Sequence, residues 1–291
     1  MGILLGILTA FAWGGSDFLA RFATHRIGTL RTTLYMQFTG FLLLTIALPW
    51  LGGWGHLADG SGWRPWAWGA AAGLLNSVGT LSLYRSFEVG KLAVVAPISS
   101  SYPVLTVLLS VLASGEHLRP GRVAGIACTI LGVVLVAAGE RPAATEEPDT
   151  TRRDENGMGW ALCSAVGFGL LFWLLGTRII PATGAPQAVW VLRLTCSLLT
   201  AAIILAARKP IQPPAGRVGG WVLAMGLTDT GAFVLNNIGM RIEQVSVVSV
   251  LASLYGAITV GLAALVLREH VSRWQWLGIV FIFAGIALIS I

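Results

Sequence analysis

Ten apolar stretches of about 18 to 23 residues run through this sequence, and one long polar stretch interrupts them. A bilayer core about 30 Å thick takes about 20 apolar residues in a helix. The stretches fall at 2–20, 32–51, 66–84, 92–113, 122–139, 157–177, 187–207, 218–238, 245–267 and 274–291. They are long blocks without period-two alternation, which excludes a transmembrane β-barrel. Only 11% of the residues are charged and 55% are hydrophobic, whereas a soluble domain carries about 25% charged residues and needs polar surface over its core. A soluble enzyme, a disordered chain and a coiled coil are therefore excluded. The expectation is an all-α integral membrane protein with ten transmembrane helices, multi-pass in the cell membrane, with the lipid bilayer as its first partner.

The net charge of +6 does not point to nucleic acid. The 19 basic residues are scattered one to three at a time between apolar runs, with no patch or stripe. Cys128, Cys163 and Cys196 lie inside apolar runs and read as small buried hydrophobes, with no disulfide framework or metal spacing. Trp50, Trp54, Trp63 and Trp66 bracket the second loop, and Trp221, Trp274 and Trp276 open later runs. Tryptophans so placed anchor helices at the headgroup level. The first run lacks a basic leader and a cleavage site and carries Asp17, so it reads as a crossing rather than a removed signal.

The polar stretch from Glu140 to Asn156 holds nine charged residues and two prolines. It lies near the middle of the chain and reads as a linker (141–156) between a first unit, 1–140, and a second, 157–291. The two units repeat each other. At an offset of 153, SGEHLRPGRVAGI (114–126) lies over LREHVSRWQWLGI (267–279). Gly125 and Gly132 then meet Gly278 and Gly285, Tyr102 meets Tyr255, and Asn76 meets Asp229. At 155 or 156, AFAWGG (10–15) lies over AVGFGL (165–170), and Gln37 over Arg193. Five crossings per copy is an odd number, so the second copy enters the bilayer upside down. Two inverted five-helix repeats are the geometry of alternating access in many secondary transporters, although channels use it too.

The ten runs in two copies, the Trp13-Gly14-Gly15 motif in the first run, and the acids Glu116 and Glu269 after the fourth and ninth resemble the drug/metabolite transporter superfamily, EamA type. The resemblance spans the whole chain. The family's Gly-Glu pair stands at Gly115-Glu116 and is Arg268-Glu269 in the second copy. The resemblance implies transport of small metabolites such as amino acids or related compounds, mostly by export, and it implies cytoplasmic termini. The charge bias points the other way. Of 18 basic residues outside the runs or at their ends, 13 fall in odd-numbered loops and 5 in even-numbered ones, and the positive-inside rule puts the richer set in the cytoplasm. Both readings keep the termini on one side.

A charge at the bilayer centre costs roughly 2.5–3.5 kcal/mol on insertion scales, which makes intramembrane charges candidates for function. Asp17, Arg193 and Asp229 are the three here. Asn76, Thr80 and Tyr84 form a polar stripe, and Asp229, Asn236 and Asn237 form its counterpart. The stripes either line a central cavity or tie helices together. Arg193 pairs with an acid or with an anionic substrate group. Asp17 has Arg21 one turn away, so a local ion pair accounts for it without transport. The alternative makes Asp17 or Asp229 the carrier of a coupling proton.

The run APISSSYPVLT holds Pro97 and Pro103, and proline kinks a helix. Ser99, Ser100, Ser101, Tyr102 and Thr106 are expected to face a wet interior there. Ser246, Ser249, Ser253, Tyr255 and Thr259 repeat the pattern without proline, so the first copy is expected to bend more; it either gates or serves packing, since small residues let helices approach closely. Among Trp13, Phe168, Trp173 and Trp190, Trp13 is the foremost aromatic candidate for the cavity. His117 and His270 read as interfacial anchors. The small-xxx-small pairs Gly69/Gly73 and Gly121/Gly125 pack helices within a protomer or across a homodimer. No clustered His/Asp/Glu or nucleophile constellation, metal-ligand spacing, cofactor motif or Walker sequence is present. The expectation is a secondary carrier of a small-molecule substrate, or else a channel for a small polar solute.

Overall fold

A computed structural model of the chain describes residues 1–114, 120–138, 157–243, 245–268 and 271–289. The linker and the acid–histidine pairs Glu116-His117 and Glu269-His270 lie outside them. The described residues contain helices and turns and no strand. In chain order the helices are α1 (Gly2–Ile27), α2 (Thr29–Ala47), α3 (Arg64–Val89), α4 (Leu92–Ser100), α5 (Pro103–Ser114) and α6 (Pro120–Ala138). α7 (Met158–Leu174) follows, running through a π-type stretch, Leu175–Ile179, into α8 (Ile180–Thr183). α9 (Ala185–Ala206), α10 (Gly216–Ile242), α11 (Val245–Ser253), α12 (Tyr255–Leu262) and α13 (Arg273–Ile289) complete the set.

Among the described residues, six stretches are long and apolar enough to cross a bilayer: Gly2–Ile27, Thr29–Trp50, Leu92–Ser110, Met158–Thr183, Ala185–Ala206 and Gly216–Ile242. Val123–Val136, Leu251–Leu267 and Arg273–Leu288 are shorter apolar helices. α3 has 26 residues, and Asn76, Ser77, Thr80, Ser82 and Ser86 dilute its apolar character. Phe11, Ile46, Leu112 and Leu265 point outward. Such a surface suits acyl chains, and in hydrocarbon a helix keeps its backbone groups satisfied within itself. Trp50, Trp63, Trp274 and Trp276 are exposed near helix ends. Cys196 is buried as expected, but Cys128 is half-buried and Cys163 faces outward; a thiol on the lipid side carries no desolvation penalty comparable to a charge.

One residue separates α1 from α2 and one separates α8 from α9. These are Gly28 (φ 79°) and Gly184 (φ 91°), 156 positions apart. A side chain is strained at such φ values, so glycine permits the immediate reversal.

Run 92–113 is not one kinked helix. It breaks at Ser101 and Tyr102, between α4 and α5. Run 245–267 breaks at the equivalent place, Leu254, between α11 and α12, without any proline. The expected asymmetry between the copies is therefore corrected, and the gating role built on it loses its basis. The two breaks meet in close packing. A Cβ on Gly256 would clash with the Ser100 side chain and come 3.2 Å from the Ala96 carbonyl oxygen, so the two broken segments press together backbone to backbone.

Helix contacts recur in exchanged pairs. A Cβ on Gly132 would lie 2.6 Å from the Gly278 carbonyl oxygen, and one on Gly285 2.6 Å from that of Gly125. α6 and α13 therefore cross antiparallel, Gly132 meeting the counterpart of Gly125 and Gly125 the counterpart of Gly132. Gly73 of α3 abuts Thr195 and the Leu192 carbonyl of α9, while Gly226 of α10 abuts Thr39 and the Met36 carbonyl of α2. Thr106 donates to the Gly169 carbonyl at 3.1 Å, and Thr259 to the Gly14 carbonyl at 3.4 Å. Gly69, Gly73 and Gly125 are thus taken up in contacts within the chain. Outside the apolar helices, the Ser61 hydroxyl and then His56 hydrogen-bond the Asp59 carboxylate and hold its pKa down to about 2.

Candidate functional site

A cavity enclosing about 380 Å³, its mouth included, opens between the helices. α1 supplies Trp13 and Asp17, one turn apart on the same face. α3 supplies Thr80, Leu83 and Tyr84 by the same spacing. Phe168 and Phe172 come from α7, and Asp229 and Phe233 from α10. Tyr102 and Tyr255 come from the two helix breaks. The lining includes equivalent positions of the two copies: Trp13 with Phe168, Asp17 with Phe172, Thr80 with Phe233, and Tyr102 with Tyr255. The carboxylates are unevenly shared, since Asp17 answers to a phenylalanine and Asp229 to Asn76.

The aromatic rings form one connected wall. Trp13 stands 5.1 Å from Phe233, 5.7 Å from Phe172 and 6.0 Å from Tyr255, centroid to centroid. Phe172 lies 4.8 Å from Tyr102 and 6.0 Å from Phe233.

Beside the cavity, Arg193 Nη2 donates to Asp229 Oδ2 at 2.5 Å, and Nη1 donates to Gln37 Oε1 at 2.5 Å. Arg193 is 0% exposed. Its guanidinium lies 4.9 Å from the centroid of Phe233, which lines the cavity. Arg193 therefore engages an acid of the protein. Asp17 is placed differently from the expected pair with Arg21. Arg21 reaches the carbonyls of Phe87 and Gly90 instead, the latter at 2.7 Å. α1 continues to Ile27 beyond the apolar run, which puts Asp17 nearer the helix centre than the sequence implied. Asp17 Oδ2, Trp13 Nε1 and Tyr255 Oη are buried and find no hydrogen-bond partner among the described residues.

Eight of the candidates thus line the cavity: Trp13, Asp17, Thr80, Tyr84, Tyr102, Phe168, Asp229 and Tyr255. Gln37 and Arg193 stand behind it. Four others are used between or within helices. Asn76 donates to Cys196 Sγ at 3.3 Å, Ser100 to the Pro97 carbonyl at 3.0 Å, Asn236 to Met240 Sδ at 3.7 Å and Asn237 to the Ala185 carbonyl at 3.2 Å. Ser99, Ser101, Thr106 and Thr259 likewise bond backbone carbonyls. Trp190 belongs to a separate cluster with Trp54 and Trp66 and donates to Thr45. The Ser246 side chain lies outside the described residues. Phe172, Phe233 and Leu83 were not anticipated. Phe172 and Phe233 follow Phe168 and Asp229 by four residues, which was the available signal.

These features define a helical, multi-pass membrane protein with an internal cavity lined by aromatic rings and two acids. Comparison with known proteins carries this further. The model of the EamA-like transporter family matches residues 1–138 and 155–291, and the chain belongs to that family. It is accordingly a membrane transporter of small molecules. A solved crystal structure resembles it with a TM-score of 0.70 at 20% identity, over 99% of this chain and 95% of the other, which shows the shared fold. An uncharacterised protein of Methanocaldococcus jannaschii is 28% identical over 135 residues, covering 46% of this chain and 95% of that protein.

Proposed function

We propose that this chain is a secondary-active carrier that exports small, amino-acid-sized metabolites by alternating access around the cavity. In this reading ten crossings form two inverted five-helix repeats, 1–140 and 157–291. The carrying observation is the exchange of contacts between the copies. Antiparallel α6 and α13 meet through Gly132–Gly278 and Gly125–Gly285, as a twofold axis perpendicular to both helices requires. The short relative supports a unit of this size, because its match of 135 residues, 95% of its own length, is about as long as one proposed repeat. A cavity on such an axis opens to one side in one arrangement and to the other side in its mirror arrangement. Export follows the family resemblance.

Asp17 is the coupling-proton site in this reading, because Arg193 already neutralises Asp229. A channel would show a continuous polar file across the bilayer, whereas the cavity has walls of Trp13, Phe168, Phe172 and Phe233. Reconstitution into proteoliposomes with an imposed pH gradient tests the proposal against a panel of amino acids, amines, sugars and organic anions. Saturable, gradient-driven flux is expected. Non-saturating flux at channel rates, or no gradient-driven flux of any solute, would refute it.

A further inference from the structure

We infer that the cavity takes an organic monocation, an amine with an apolar body, and that Asp17 is its counter-ion. The inference rests on the cavity being the substrate site of the proposed carrier.

Charge is the first argument. Asp17 and Asp229 line the cavity, and among the described residues no basic side chain does. Arg193 holds Asp229 at 2.5 Å and sits behind Phe233. Asp17 is left as the acid without a cation. It is 5% exposed, and its Oδ2 has no hydrogen-bond partner among the described residues. A buried carboxylate in that state is costly to keep ionised and is stabilised by any cation that reaches it. Shape is the second argument. The rings of Trp13, Phe172, Phe233 and Tyr255 surround the same space, and aromatic faces attract a desolvated ammonium. Trp13 Nε1 and Tyr255 Oη stay available to a hydrogen-bond acceptor elsewhere on the ligand.

The same features weigh against an amino acid. Its carboxylate would enter a space with two acids and no available base. A free organic anion meets the same repulsion. A sugar would leave most of its hydroxyls against rings. The cavity thus selects the amine over the zwitterion of the same side chain.

Four indoles of one ring size and different charge make the test: tryptamine, tryptophan, indole-3-propionate and N-acetyltryptamine. Binding to the purified full-length protein is measured by calorimetry and by the shift in melting temperature. Tryptamine is expected to bind roughly tenfold or more tightly than the other three. This comparison uses the wild-type protein and so does not depend on how a variant folds. In Asp17→Asn, tryptamine should fall to the level of N-acetyltryptamine, and Asp17→Glu should restore part of the preference. Tryptophan binding as tightly as tryptamine would overturn the inference, as would a tryptamine affinity indifferent to Asp17→Asn or absent from the wild type. Flux separates the two readings. Tryptamine that binds but is never moved across proteoliposomes sinks the carrier and leaves the cation site standing. Gradient-driven tryptophan flux without tryptamine binding does the reverse.

Discussion

Gln37 and Arg193 occupy equivalent positions in the two halves, 156 residues apart, and hydrogen-bond each other at 2.5 Å. A residue touches its own repeat mate only where the axis relating the copies passes. In the proposed inverted-repeat arrangement this contact lies on the axis, beside the cavity. It also shows how the copies have diverged there: where one has a neutral amide, the other has a guanidinium that turns to Asp229.

That divergence makes Arg193 a stability residue first. Replacing it with Ala leaves Asp229 buried without its cation and removes the donor to Gln37. Breaking a buried pair in this way costs about 3–5 kcal/mol. Arg193→Ala should therefore lower the unfolding temperature in detergent markedly, and Arg193→Met with Asp229→Leu should recover much of the loss. Equal melting curves for Arg193→Ala and the wild type would show that the pair does not hold α9 to α10.

The α6–α13 crossing offers a second test. Valine at Gly132 or at Gly278 would meet a backbone carbonyl 2.6 Å from its Cβ, and a carbonyl cannot swing aside like a side chain. Each change should destabilise by at least the roughly 1–3 kcal/mol typical of overpacking. Because the two glycines touch the same place, their effects should not add. Gly121→Ala is the contrast. Its nearest neighbouring atom is 4.0 Å away, so thermal unfolding should show no loss, and helix propensity favours alanine.

Much of this architecture was legible because hydropathy is the dominant constraint in a bilayer. The apolar runs marked the helices, and the family match to both 1–138 and 155–291 agrees with two like halves. Two things were harder to read. Run 2–20 ended at Arg21, but a helix does not stop where apolarity does; α1 continues to Ile27, and Asp17 shifts accordingly. Polarity at Asn76, Ser100, Asn236 and Asn237 marked groups that need partners. It did not say whether those partners would be a substrate or the neighbouring helices, and their donors meet cysteine, methionine and carbonyl groups. The break at Leu254 had no local signal: no proline stands near it, and the close contact of Gly256 with Ser100 is made across the fold.

This yields a prediction about proline. Pro97 lies inside α4, and Pro103 opens α5, a first-turn position where proline is favourable. If packing rather than proline sets the breaks, Pro97→Ala should keep both saturable flux and melting temperature. Gly256→Val should lose both, since its side chain would occupy the space of Ser100. Loss of flux in Pro97→Ala with an intact fold would return the proline to a mechanical role.

The coupling proton gives the last and sharpest test. Asp17 and Asp229 both line the cavity, but only Asp229 has an arginine. Asp17→Asn keeps the shape of the side chain and removes its charge, so in proteoliposomes it should abolish the dependence of flux on the pH gradient while leaving the melting temperature close to that of the wild type. Asp229→Asn should act mainly through stability, because it strips Arg193 of its acid. The exposed loop does not confuse the reading. Asp59 is held at about 2 by Ser61 and His56, so whatever that depressed pKa contributes is present above the ordinary carboxylate value and is lost only as the pH falls through about 2. Between about pH 5 and pH 8 its charge is constant. A pH response of transport in that window that disappears with Asp17→Asn and survives Asp59→Asn identifies the buried acid. A response that persists in Asp17→Asn moves the proton elsewhere.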